Sequence, residues 1–220
     1  MTKYLLLSFF IFSAFNVFSQ NNSLGKSDPD AKKILDNVSA KFKTYKTVTA
    51  NFTLTVLNAA GKAQGTKTGV VNMKGSKYRV TISGQEIYSD GSNIWTFDKS
   101  ANEVQLTKFD PSTNTITPQK MFTNFYDKDF LYKLNSETKQ GGKTIQQVEL
   151  TPVDKTKTFF KVLVDIDKNS NNIVSTTVYE KNGNRYIYKI NSIKTNTDLP
   201  ESLFVFDAKK YPNVEVVDLR

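Results

Sequence analysis

From Val48 the chain adopts a strict period of two. Val48, Ala50, Phe52, Leu54 and Val56 alternate with Thr49, Asn51, Thr53 and Thr55. Successive side chains of a strand point to opposite faces, so this run predicts a strand with one apolar and one wet face. The alternation returns in Tyr78, Val80 and Ile82 and in most later segments, which are separated by turn residues such as Gly75-Ser76, Gly141-Gly142 and Lys181-Asn182-Gly183-Asn184. Between Glu86 and Asp98, Asp90-Gly91 splits two short apolar runs, the second of which carries the single tryptophan, Trp95. Glycine tolerates the positive φ of a tight turn, so this stretch predicts a hairpin. The pattern predicts about eleven or twelve strands, largely a meandering antiparallel sheet. A sheet with one apolar face must cover that face with something.

Two segments can do so. Asp28-Pro29-Asp30 reads as the start of a helix, with an acidic cap and Pro in the first turn. Ala31, Ile34, Leu35, Val38 and Phe42 then form one apolar stripe that runs to about Tyr45. Between Asp110 and Leu131 the alternation breaks. Pro111 and Pro118 punctuate a crossover in which Met121, Phe122 and Phe125 cluster at helical spacing. Two arrangements fit: a helix-covered sheet with a filled core, or a curled sheet whose helices form a lid over a cavity for acyl chains. Methionine and phenylalanine adapt to irregular ligands and suit the second.

Lys3 followed by the apolar run Tyr4 to Phe18 and by Val17-Phe18-Ser19 predicts a cleavable secretory leader over residues 1–19, with Gln20 as the new N-terminus. The run is shorter than the roughly 20 residues of a membrane span. Residues 20–27 read as a loose segment and 28–220 as one domain, which is enough chain for a sizeable core. The sequence has no cysteine and no histidine. That removes disulfides, thiol nucleophiles, histidine acid–base chemistry and the usual zinc sites. Asp165-Ile166-Asp167-Lys168-Asn169 starts like a calcium loop, but Ser170 and Thr176 stand where such a loop needs Gly and Glu. A strand entering an Asn-rich hairpin is expected there instead. No enzymatic activity, cofactor or metal is expected. The formal charge of +9 is spread over scattered lysines, with arginine only at positions 79, 185 and 220. This argues against nucleic acid and leaves attraction to anionic lipid or plain solubility.

Read from Asp28 onward, the chain resembles the periplasmic outer-membrane lipoprotein carrier (LolA-like) family. The resemblance is carried by Ala50-Asn51-Phe52-Thr53, Gly69-Val70-Val71-Asn72-Met73-Lys74, Ser89 to Asp98 with Asn102-Glu103-Val104, Val148 to Pro152, Phe204-Val205-Phe206-Asp207 and Val214 to Asp218. It implies a mainly β fold with helices (α+β): an unclosed antiparallel β-barrel with a helical lid over an apolar cavity. It also implies a monomeric periplasmic shuttle that takes lipoproteins from an inner-membrane ABC-type release complex and hands them to an outer-membrane acceptor. Following the alternation, the expected cavity lining is Phe52, Leu54, Val56, Val71, Met73, Tyr78, Val80, Ile82, Trp95 and Phe97. Leu35, Val38, Met121, Phe122 and Phe125 are expected in the lid. Known members carry a lid-bonding arginine in the turn that is Lys74-Gly75-Ser76-Lys77 here, where no arginine stands. A carrier of another lipid, a periplasmic lipoprotein sensor and a carbohydrate-binding β-protein are the competing readings.

Overall fold

The computed structural model describes residues 27–110 and 126–220. The expected leader, nearly all of the segment after it, and the crossover residues Met121, Phe122 and Phe125 lie outside the described residues.

Helix α1 (Pro29–Lys43) begins as the sequence predicts. Asp28 caps it by accepting the Asp30 N–H at 2.8 Å. Lys41 and Lys43 occupy the last turn, where the helix dipole favours cations. Asp28 also joins the helix to the sheet. Its N–H donates to the Tyr132 carbonyl at 2.9 Å and its Oδ2 accepts the Leu134 N–H at 3.0 Å. The stripe Ala31, Ile34, Leu35 and Val38 is buried.

Twelve strands follow: β1 (Thr47–Leu57), β2 (Ala63–Lys74), β3 (Lys77–Ile82), β4 (Gln85–Ser89), β5 (Asn93–Asp98), β6 (Glu103–Lys108), β7 (Phe130–Gln140), β8 (Lys143–Pro152), β9 (Phe159–Asp167), β10 (Asn172–Glu180), β11 (Arg185–Thr195) and β12 (Glu215–Asp218). A one-turn helix, α2 (Tyr126–Asp129), precedes β7. The strands form one sheet in the order β12-β6-β5-β4-β3-β2-β1-β11-β10-β9-β8-β7, with β7 and β12 at its two edges. The sheet is therefore unclosed. It consists of two meanders, β2–β6 and β7–β11, with β1 paired to β2 on one side and β11 on the other. Pairing is antiparallel except for β12, which lies parallel to β6.

Residues directly opposite one another in adjacent strands share a face, so the register carries the face assignment across the sheet. We call the face that packs on α1 the inner face. On β7–β10 it presents Phe130, Tyr132, Val148, Leu150, Val162, Val164, Ile166 and Ile173, which are buried in one cluster with the α1 stripe. On β1–β3 it presents Val48, Ala50, Phe52, Val71, Met73 and Tyr78, a second buried cluster. Each side chain so buried contributes about 1.5–3 kcal/mol. The predicted Asp-Gly hairpin joins β4 to β5. Gly91 has φ +91° and stands so close to the β2–β3 turn that a Cβ would lie 2.6 Å from the Ser76 Oγ. The Asn-rich segment after β9 is also a hairpin. Asp167 accepts the Asn169 and Ser170 N–H groups, and Asn171 takes a positive φ of 50°.

Candidate functional site

The apolar side of the sheet is not the same along its width. On β1, Phe52, Leu54 and Val56 face inward, while Thr49, Asn51 and Thr53 face outward. The outward groups bond to one another across strands, Thr49 to Asn72 at 2.9 Å, Asn51 to Ser192 at 2.8 Å and Asn191 to Thr53 at 2.8 Å. Following the register from β1 through β2, β3 and β4, the inner face reads Val71 opposite Ala50, then Val80, then Ile87. On the other side, Ile190 stands opposite Phe52, Tyr188 opposite Leu54 and Tyr186 opposite Val56. Beyond β4 the polarity inverts. Apart from Ile94, the inner face of β5 and β6 is polar, with Thr96, Asp98, Glu103, Gln105 and Thr107, and the outer face carries Trp95, Phe97, Val104 and Leu106.

The inner face therefore holds an apolar trough over β11, β1, β2 and β3, edged by the exposed Lys67 of β2 opposite Leu54, with mostly polar residues beyond it on β5 and β6. Its floor is buried: Phe52, Val71, Met73 and Tyr78. Its walls are half-buried: Leu54, Val80, Ile82, Ile87, Tyr188 and Ile190. Burial pushes the phenol pKa values of Tyr78 and Tyr188 up, so both rings stay neutral. Between the C-terminal half of α1 and this region lies a cavity of about 20 Å³, walled by Val38, Phe42, Tyr45, Val48, Ala50, Ile173 and Ile193. A more open recess of about 210 Å³ adjoins it beside Phe42, Tyr45 and Met73. The end of α1 is held here by Lys41, whose ammonium donates to the Ser170 carbonyl. Tyr126 of α2 donates to Asp36 of α1 at 2.9 Å. Pockets that enclose a drug-sized ligand span about 300–1,000 Å³, so the 20 Å³ space takes an acyl chain only if Phe42, Tyr45 or the end of α1 moves.

The model of the family described as outer membrane lipoprotein carrier protein LolA matches residues 43–207, from the end of α1 to the segment before β12. The chain belongs to this family. An outer-membrane lipoprotein carrier protein of Pseudomonas putida (strain W619) is 27% identical over 172 residues, covering 76% of this chain and 79% of the relative. One of Cupriavidus pinatubonensis (strain JMP 134 / LMG 1197) is 26% identical over 131 residues, 59% of each chain. An uncharacterized conserved protein from Thermus thermophilus shares the fold, with a TM-score of 0.57 at 15% identity over 86% of this chain and 99% of that one.

Within this LolA-family sheet, the expected cavity residues divide into three groups. Leu54, Val56, Val80 and Ile82 are on the inner face and half-buried, while Phe52, Val71, Met73 and Tyr78 are on the same face and buried. Trp95 and Phe97 are elsewhere. Tyr88 pairs with Trp95 and Glu86 with Phe97, which puts both on the outer face. There Phe97 packs on Phe206 and Tyr211, with ring centroids 5.2 and 4.5 Å apart. The polypeptide after β11 crosses to this face and covers it, burying Phe204 and Phe206. Leu35 and Val38, expected in the lid, are buried on α1 in the core cluster with β7–β10. Ile87, Tyr186, Tyr188 and Ile190 share the trough's face and were not among the expected residues. Their face follows only from pairing with β1 and β3, since Tyr186-Ile187-Tyr188 is apolar on both sides.

Arg79 takes no part in the trough. It points outward, its guanidinium 4.7 Å from the Tyr88 ring centroid and 2.7 Å from Glu86. Glu86 also pairs with Lys99 at 2.6 Å and accepts from the Tyr88 hydroxyl, which lies 3.2 Å from that of Tyr211. Burial alone would raise the Glu86 pKa, but the hydrogen bonds from Lys99, Tyr88 and Arg79 outweigh it and hold the carboxyl at about 2. The arginine-free turn is engaged on the outside as well: Lys74 and Lys77 both pair with Glu201.

Gly69 fixes the trough floor. A Cβ there would lie 2.4 Å from the tip of the Phe52 ring and 2.8 Å from the Thr81 carbonyl oxygen, and the carbonyl cannot swing aside. Gly69→Ala is expected to destabilise the protein by about 1–3 kcal/mol, the range for overpacking. A lowered urea midpoint at unchanged slope is the check, and an unchanged midpoint removes the close approach.

Proposed function

We propose that this LolA-family chain is a periplasmic carrier. It is exported through a leader cleaved near Ser19/Gln20, acts as a monomer folded as one domain over 28–220, and holds lipoprotein acyl chains in the inner-face trough. It would take them from an inner-membrane ABC-type release complex and carry them to the outer membrane. The observation that carries this reading is the half-buried apolar wall Leu54, Val80, Ile82, Ile87, Tyr188 and Ile190 beside a helix that covers only part of the inner face. A soluble domain gains by burying such a wall completely, unless the wall is kept for a ligand. Each buried CH₂ is worth about 0.8 kcal/mol, so a chain of about sixteen carbons left in water loses about 12 kcal/mol. A carrier must hide that surface and still release it. Side chains that part to admit the chain and repack when it leaves meet both needs.

Native mass spectrometry with lipid extraction, on protein purified from its own periplasm, tests this. A co-purifying lipoprotein is the expected result. A diacyl lipid alone would make it a carrier of another lipid. A clean apo protein that also leaves a hydrophobic probe dark would mean a filled core and no carrier function.

A further inference from the structure

One end of the sheet carries an exposed patch that the trough does not use. The loop between β8 and β9 (153–158) and the turn between β10 and β11 (181–184) lie side by side there. The Lys181 N–H donates to the Thr158 carbonyl at 2.9 Å, and the Lys181 ammonium donates to the Lys155 carbonyl. Val153, the first residue of this loop, and Phe160, just after it, are 45% and 48% exposed, uncommon values for such side chains. Around them stand Lys155, Lys157, Lys161, Lys181 and Arg185. Tyr179 lies between two of these cations, 4.5 Å from the Lys161 ammonium and 5.5 Å from the Arg185 guanidinium, and beside the Phe160 ring at 6.2 Å. Two carboxylates stand among these five cations: Asp154, which accepts from Thr156 and feels Lys157 and Lys181, and Glu180, which accepts from Asn182, so positive charge remains in excess. Apolar tips, an aromatic ring and a surplus of cations on two linked hairpins are the chemistry of a surface that meets lipid headgroups.

We propose that these hairpin tips dock on the surface of an anionic phospholipid bilayer. Phe160 and Val153 enter the headgroup boundary, and the four lysines and Arg185 meet the phosphates. Charge selects the partner: a neutral apolar surface would leave these cations uncompensated. Val56 and Tyr186 close the trough at this same end, one residue from the end of β1 and from the start of β11. Docking thus brings this end of the trough to the membrane.

Vesicle co-sedimentation of the full chain after leader removal tests the proposal. Vesicles mixing phosphatidylglycerol with phosphatidylcholine should bind the protein and pure phosphatidylcholine should not, and salt should weaken the binding. Each lysine near an anionic surface is worth about a fivefold change in partition. Lys155→Glu with Lys181→Glu should therefore lower it more than tenfold, and Val153→Ser with Phe160→Ser should lower it at an unchanged melting temperature. The same charge change at the exposed Lys33 and Lys139 should leave partition near the parent value. Equal partition on both vesicle types, or equal loss in the patch and control variants, overturns the proposal. So does a monomer–dimer shift abolished by the patch variants without vesicle binding, which would assign the patch to a second copy. Docking and cargo are separable, because acyl-probe binding measured on the same variants reads the trough alone.

Discussion

Leu54→Glu is expected to lower affinity for a fluorescent acyl probe at least a hundredfold, while Thr55→Glu, one residue on, leaves it nearly unchanged. The two positions differ in face. Leu54 packs with the inner-face cluster and stands between Tyr188 and Lys67, and the exposed Lys67 would offset a carboxylate by no more than about 1 kcal/mol. Thr55 points outward, 3.4 Å from the Thr66 hydroxyl, where a carboxylate stays in water. A carboxylate in the trough must be desolvated beside an alkyl chain or protonated, and either is costly. A hundredfold is about 2.7 kcal/mol, within reach of one misplaced charge. Circular dichroism and thermal unfolding show whether the variant folds. Leu54→Ala, which removes contact without adding charge, should weaken binding by a smaller factor and guards against a folding artefact. A folded Leu54→Glu that binds the probe normally places the acyl site elsewhere.

The second large effect is on stability. Glu86 is buried on the outer face, its side chain 5% exposed, among Arg79, Lys99 and Tyr88. Glu86→Ala leaves the Arg79 guanidinium, 25% exposed, without its counter-charge. Breaking a buried pair from one side costs about 3–5 kcal/mol, and the partial exposure of Arg79 puts the expected loss at the low end of that range, still a large share of a typical domain's stability. Arg79→Met with Glu86→Leu removes both charges and should recover most of the loss. The same network sets an acid limit. The carboxyl pKa is about 2 in the fold against an ordinary 4.5, so the unfolded chain binds this proton first. The contribution of Glu86 is complete above pH 4.5 and fades as pH falls from there toward 2. Urea unfolding at pH 7 and at pH 3 checks it: Glu86→Gln should lose less stability on acidification than the parent chain. Equal losses would mean that other carboxylates govern the acid response.

Much of this molecule is legible in the sequence. Asp28-Pro29 starts the helix, the alternation from Val48 builds β1, and Asp90-Gly91 turns β4 into β5, because each signal acts between near neighbours. What local pattern does not carry is the side of the sheet on which an apolar residue falls. Trp95 and Phe97 alternate as cleanly as Leu54 and Val56 yet occupy the opposite face. The difference comes from register passed through three strands, and from Phe204, Phe206 and Tyr211 more than a hundred residues away, which supply the cover. The run Phe204-Val205-Phe206 is itself a clue, since an apolar segment outside the alternation needs a surface to lie on. β12 is legible as a short strand near Val214 to Asp218, but its parallel place on β6 is not, because a parallel pair leaves no hairpin signature. Tyr186 and Tyr188 are ambiguous alone, because Ile187 between them makes their strand apolar on both sides.

The two ends of the chain are exchanged between the two meanders. α1, which comes first, packs on β7–β10, and the segment after β11, which comes last, packs on β4–β6. Among the described residues, each half of the sheet takes part of its cover from the far end of the chain. As the chain is made N-terminus first, the apolar stripe of α1 waits for strands about ninety residues or more behind it. Tyr88, Phe97 and Val104 of the other meander wait for Phe206. Loop closure over such separations is slow, so the nascent chain passes through a long interval with sticky surface showing. Afterwards the arrangement acts as a clasp. Clipping either tail uncovers apolar surface in the half of the molecule that the cut never touched.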